Sequence, residues 1–251
     1  MTQAQTTKWN GCIPRGSVSA RHYAGSSAGP ACILLPEWYD YALPTLNQNG
    51  SSCVGHAWAN WLEMMIRRYI GSSAIPAGMQ IDGEAIYARA RELWWVPVKG
   101  GGIYLEQGFG AMLEMGIIRP ESRLMHVGAS RNEVASALQR TPLVQAHQVH
   151  DGWFHANPTS GLIDHRPAPE PGDEYHATVL ITLGITPGYH VPYRVSQNSW
   201  GKDYARFGYF AMTEDEWFEG FCADGLLTAD MPTEWISWDG WKKWLIPGGA
   251  K

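Results

Sequence analysis

Apolar residues at Val54, Trp58, Trp61, Leu62, Met65 and Tyr69 are spaced so that all six share one face of a helix. Gly71 ends that run, and Ser51 or Ser52 stands where a helix cap belongs. Cys53 is therefore predicted in the first turn of a long helix, where the macrodipole favours a negative charge. A second helical pattern follows Asp82 through Ile86, Tyr87, Ala90, Leu93 and Trp94, and a third carries Leu105, Phe109, Met112 and Leu113 up to Gly116. Ser130 and Glu133 have capping-box spacing and open a short helix through Val134 and Leu138 that Pro142 stops. Beyond it the texture changes to short runs with β-branched and aromatic residues, at 143–149, 176–183, 193–198 and 206–212, separated by Gly/Pro turns. Helices first and strands second predict an α+β protein, a helical half facing a β-rich half with ligand space between them.

Residues 1–34 are dominated by Thr, Ser, Gly, Ala and Gln and read as an arm with no core of its own. The body divides into a helical part at 35–140 and a β-rich part at 141–251. Near the C-terminus Trp235, Trp238, Trp241 and Trp244 recur every third residue, a pattern that packs a tail onto the body or presents aromatic surface to a partner. The arm and this tail are the two places where a docking partner is expected.

Composition removes several function classes. With 251 residues, 45% hydrophobic and 17% charged, the chain buries a sizeable core. A net charge of −5 without a cluster of Lys and Arg leaves nucleic acid without a footprint. No apolar run approaches the roughly 20 residues a membrane span needs, and the start is polar. No membrane partner is expected, and the expected compartment is the cytoplasm, with membership of a larger particle open.

Four cysteines, Cys12, Cys32, Cys53 and Cys222, show neither a CxxC pair nor the density of a disulfide scaffold. His147, His150 and His155 have no HExxH pattern or matching cysteine pair beside them, so neither a metal nor another cofactor is expected. His56, three residues beyond Cys53, is expected to pack in the core or cleft wall rather than over the sulfur. Thiol nucleophilic catalysis needs a cysteine, an imidazole to hold its proton and a third group to orient the ring. Cys53 at a helix start, His176 opening a strand and Asn198 on the next strand supply those residue types.

The segment Leu35-Pro36-Glu37-Trp38-Tyr39-Asp40, then Asn47-Gln48, then Ser52-Cys53 at the start of a helix, resembles the mature start of papain-like cysteine peptidases of the papain family. Residues 175–181 resemble that family's histidine strand. Gln197-Asn198-Ser199-Trp200-Gly201 with Phe207-Gly208-Tyr209-Phe210 resembles its asparagine strand and hairpin. The resemblance spans roughly residues 35–227 and implies a papain-like fold and a cysteine endopeptidase acting on polypeptide through an acyl-enzyme. It implies Cys53 as nucleophile, His176 as acid/base, Asn198 as orienter and Trp200 as a cover over their contact. It further implies Gln48 as an oxyanion donor beside the Cys53 N–H, and Gly101 and Gly102 as the segment along which substrate lies.

Gln48 stands five residues before Cys53 where the family has six, which leaves Asn47 as the other candidate donor. Gly50 replaces a cysteine that pairs in secreted members, and the arm is too short for their usual prosegment. A cell-wall peptide amidase with the same Cys-His chemistry, and a structural or assembly component on this fold, are the alternative readings.

Overall fold

The computed structural model describes residues 21–22, 38–94, 101–163, 174–185, 192–218, 226–230 and 238–248. Cys12, Cys32, Cys222, Trp235 and most of the arm lie outside these residues. Among the described residues the α-helices are α1 Cys53–Tyr69, α2 Gly83–Leu93, α3 Leu105–Glu114, α4 Arg131–Leu138 and α5 Glu214–Phe218. The strands are β1 Arg21–His22, β2 Met79–Ile81, β3 Arg123–Val127, β4 Leu143–Val149, β5 Glu174–Ile185, β6 Pro192–Gln197, β7 Tyr209–Thr213, β8 Leu226–Asp230 and β9 Leu245–Pro247. Seven of them form one sheet in the order β1-β3-β8-β4-β5-β6-β7, and β2 pairs with β9. The helical part packs against this β-rich part with a cleft between them, as the segregation of patterns predicts.

Helix α1 is the centre of the molecule. Its periodicity predicts one buried face, yet every residue from Cys53 to Ile66 is buried. The helix lies between α2 on one side and β5 on the other, so the polar positions His56, Asn60 and Glu63 are enclosed too. Buried polar groups must then find partners inside the protein. Trp58 donates its indole N–H to the Leu105 carbonyl (2.7 Å) and Trp61 donates to Thr141 Oγ1 (2.9 Å), tying α1 to α3 and to the entry of β4.

Two glycines decide how closely α1 and α2 approach. A Cβ on Gly55 would lie 2.1 Å from the Gly83 carbonyl oxygen, and a Cβ on Gly83 would lie 2.8 Å from the His56 Cα. The helices are in backbone contact here, which only residues without a side chain permit. Asp82 caps α2 by accepting the Ala85 N–H (3.0 Å). Ser52 caps α1 by position alone, because its hydroxyl bonds elsewhere.

The strands differ from their sequence reading at both ends of the set. Arg206 meets Tyr209 only through an isolated bridge, and the hairpin turn holds Ala205, Phe207 and Gly208 at positive φ, so β7 begins at Tyr209. Strands β2, β3, β8 and β9 are three to five residues long and carry no periodicity long enough to read. In the arm, Arg21 and His22 pair in parallel with Met125 and His126. At the other terminus Trp241 is buried, and the Trp238 and Trp244 indoles donate to the Ile117 and Met115 carbonyls. These three tryptophans fasten the tail to the end of α3, and β9 then reaches β2.

Candidate active site

Cys53 opens α1, His176 lies on β5, and Asn198 follows β6 by one residue. The antiparallel pairing of β5 with β6 carries the histidine and the asparagine, 22 residues apart, to a Nε2–Oδ1 distance of 2.6 Å. Asn198 Oδ1 also accepts the Ser199 N–H (2.7 Å), which fixes the amide with its oxygen toward the ring. An acceptor at Nε2 means that Nε2 carries the proton and Nδ1 is the basic nitrogen. Nδ1 is buried and makes no hydrogen bond among the described residues. The Cys53 sulfur accepts the N–H of Ala177, the residue after the histidine, at 3.4 Å.

The surroundings exclude water. Trp200 lies over the imidazole with ring centroids 4.6 Å apart and planes 31° from parallel, and Trp153 meets the same ring edge-on at 6.1 Å. Cys53, His176 and Asn198 are each 0% exposed. Burial pushes the Cys53 thiol up to about 12, against backbone N–H bonds that act to lower it. Burial likewise takes His176 down to about 4, although its bond to Asn198 acts the other way. The position of Cys53 at a helix start favours a thiolate, but in this enclosed groove desolvation outweighs the macrodipole.

Both candidate oxyanion residues lie beside this group. Asn47 forms an antiparallel bridge with Trp200. Gln48 is buried and held from the β-rich side: its N–H donates to the Ser199 carbonyl (2.7 Å), and its Oε1 accepts the Ser199 hydroxyl (2.5 Å). Its Nε2 donates to the Gly50 carbonyl (2.7 Å). Gly101 has φ +83°, and a Cβ there would lie 3.2 Å from the Tyr87 hydroxyl and 3.6 Å from Ser51 Oγ. Tyr87 donates to the Gly101 carbonyl (2.5 Å) and Arg91 to that of Gly102 (3.4 Å). The glycine segment therefore adjoins the loop before Cys53, held there by α2.

His56 is buried, as its helical position predicts, with Nε2 2.9 Å from Glu84 Oε1. His147 pairs in register with His176 across β4 and β5, and burial takes it down to about 3, with His176 and Arg194 adding to the effect. Among the described residues no group of His, Cys, Asp and Glu is arranged to hold a metal ion, and no helix is long and apolar enough to cross a membrane. Sequence reasoning missed Glu84, Ser199 and Trp153. The first reaches the loop before Cys53 only through the packing of two helices, so no local pattern marks it.

The fold is similar to that of several cysteine proteases of known structure. For the digestive procathepsin L2 proteinase from the Tenebrio molitor larval midgut, the TM-score is 0.70 at 14% identity, over 92% of this chain and 81% of that one. For xylellain, a cysteine protease from Xylella fastidiosa, it is 0.65 at 14% identity, over 90% and 97%. For the bromelain protease from Ananas comosus in complex with the E64 inhibitor it is 0.60 at 15% identity, over 80% and 100%. No family model matches the chain. This chain thus has a papain-like cysteine-protease fold.

Proposed function

We propose that this protein is a cysteine endopeptidase that hydrolyses polypeptide through a thioester acyl-enzyme. The observation that carries the reading is the His176–Asn198 contact of 2.6 Å beneath Trp200, with the Cys53 sulfur against the neighbouring amide. In this reading the His176 Nδ1 takes the thiol proton as Cys53 Sγ attacks the scissile carbonyl carbon. The carbonyl π electrons move onto oxygen, and the Cys53 N–H and the Gln48 side-chain amide stabilise that charge, a contribution of about 3 to 4 kcal/mol per donor.

The imidazolium then gives its Nδ1 proton to the departing amine, the C–N bond breaks, and a thioester remains. Water, deprotonated by the same nitrogen, attacks the thioester and returns the thiol. Throughout, Asn198 keeps Nε2 protonated and the ring aimed, while Trp200 keeps water from their hydrogen bond. Substrate lies along Gly101 and Gly102 as an added strand, a mode in which main-chain hydrogen bonds provide affinity.

The test is hydrolysis of a denatured protein and of purified cell wall by the wild type and by Cys53→Ala. Cleavage of the protein alone, abolished by the substitution, is expected. Release of fragments from cell wall alone would replace this reading with the amidase. Activity that survives Cys53→Ala, or none on either substrate, would refute Cys53 as the nucleophile of a hydrolase.

A further inference from the structure

The loop between Gln48 and Cys53 carries both donors of the proposed oxyanion site and must hold them in place at an unusual length. Its β-side end is fixed by Ser199, through the two bonds to Gln48. Its helix-side end converges on one carboxylate oxygen. Glu84 Oε1 accepts the Asn49 N–H (2.8 Å) and the Ser52 hydroxyl (2.7 Å), and lies 2.9 Å from His56 Nε2. Ser52 Oγ is also 3.1 Å from the Asn49 carbonyl, so the oxygen closes the loop on itself as well as onto α2.

From this geometry we infer that Glu84 is a positioning residue for the reaction at Cys53, anchoring the 48–52 loop so that the Cys53 N–H and the Gln48 amide meet the oxyanion together. The inference rests on the peptidase reading above.

The charge state suits the task. Burial acts to raise the Glu84 carboxyl, yet the bonds from His56, Asn49 and Ser52 hold it below the usual carboxylate range. An ionised acceptor binds its donors about twice as strongly as a neutral one. The helix contact at Gly55 and Gly83 brings Glu84 within reach, and Glu84 touches neither Gln48 nor the Cys53 sulfur in any bond described. Its influence on the reaction therefore passes through the backbone of the loop, where a displacement of about 1 Å costs on the order of 100-fold in rate.

The experiment compares wild type, Glu84→Ala and Glu84→Gln in three assays on the full chain. Steady-state hydrolysis of a peptide amide reads kcat and KM. Inhibition by a peptide aldehyde, whose hemithioacetal oxygen occupies the oxyanion position, reads the site itself. Alkylation of Cys53 by a small haloacetamide reads the thiol without an oxyanion. In Glu84→Ala, kcat is expected to fall about 10- to 100-fold with KM within about twofold. Aldehyde affinity should weaken in proportion to kcat/KM, and alkylation should stay within about twofold.

Glu84→Gln keeps an acceptor oxygen and loses the charge, so about fivefold is expected; it carries the test if Glu84→Ala does not fold. Unchanged kcat and aldehyde affinity in the folded variants would overturn the inference and leave the peptidase reading standing. An equal loss in all three assays would overturn it in favour of a general structural role. A wild type inert toward both peptide amide and aldehyde would remove the peptidase reading, and the inference with it.

Discussion

Glu63 is the one acidic residue of α1, and its effect on stability has a definite sign. Its Oε1 accepts the Ile81 N–H (2.6 Å), its Oε2 has no hydrogen-bond partner among the described residues, and the residue is 1% exposed. Burial pushes its pKa from the ordinary 4.5 to about 8, against the Ile81 bond and the charge of Arg67. Between those two values the folded state holds a proton that the unfolded state has released. Stability conferred by the neutral form is therefore complete below pH 4.5 and is lost as pH rises to about 8.

At about 1.4 kcal/mol per pH unit, that interval amounts to about 5 kcal/mol, a large part of the 5–15 kcal/mol by which domains are ordinarily stable. Glu63→Gln keeps the acceptor for Ile81 and cannot ionise. Urea unfolding followed by tryptophan fluorescence, from pH 4 to 9, measures the difference. The variant and the wild type should be equally stable near pH 4, and the variant should lead increasingly up to about pH 8, by as much as about 5 kcal/mol. Parallel profiles, or a wild type that gains on the variant with rising pH, would show that Glu63 folds ionised and refute the argument.

Four further outcomes follow from the site and its supports. Because burial holds Cys53 up to about 12 and His176 down to about 4, the resting pair is neutral at pH 7. Alkylation of Cys53 by a small haloacetamide should climb with pH, and a fast plateau from pH 5 to 9 would show a resting thiolate–imidazolium pair instead. Asn198→Ala removes the acceptor at Nε2, so kcat on a peptide amide should fall about 100-fold with little change in KM; retention of full kcat would disprove the orienting role. Trp200→Ala opens the His176–Asn198 bond to water and should lower kcat on a peptide amide by on the order of 10-fold in a variant that urea unfolding shows to be folded; full kcat in the folded variant would make Trp200 a packing residue only. Gly55→Ala drives a Cβ to 2.1 Å from a backbone oxygen and should destabilise by about 3 kcal/mol in urea unfolding, whereas a neutral result would mean that α1 and α2 separate freely.

The sequence carried the pieces whose cause is local. The start of α1 at Cys53, the start of α2 after Asp82 and the Ser130 cap of α4 follow from side chains within a few residues of the backbone they serve, and each stands where its pattern predicts. The strands bearing His176 and preceding Asn198 were legible for the same reason, since a run of β-branched residues between turns records its own conformation. Short strands such as β2 and β9 left no such mark, because a three-residue strand exists only through its partner.

Tertiary structure alone decided what surrounds these pieces. Helix α1 reads as one-sided and is buried all round, because two layers close on it from opposite sides. The 48–52 loop is held from Ser199 on one side and Glu84 on the other, residues 151 and 35 positions away from those they bind. The protonation of Cys53, His176 and Glu63 is likewise a property of the enclosure: a local motif specifies which atoms can meet, but the cost of charging them depends on how much water the rest of the chain has displaced.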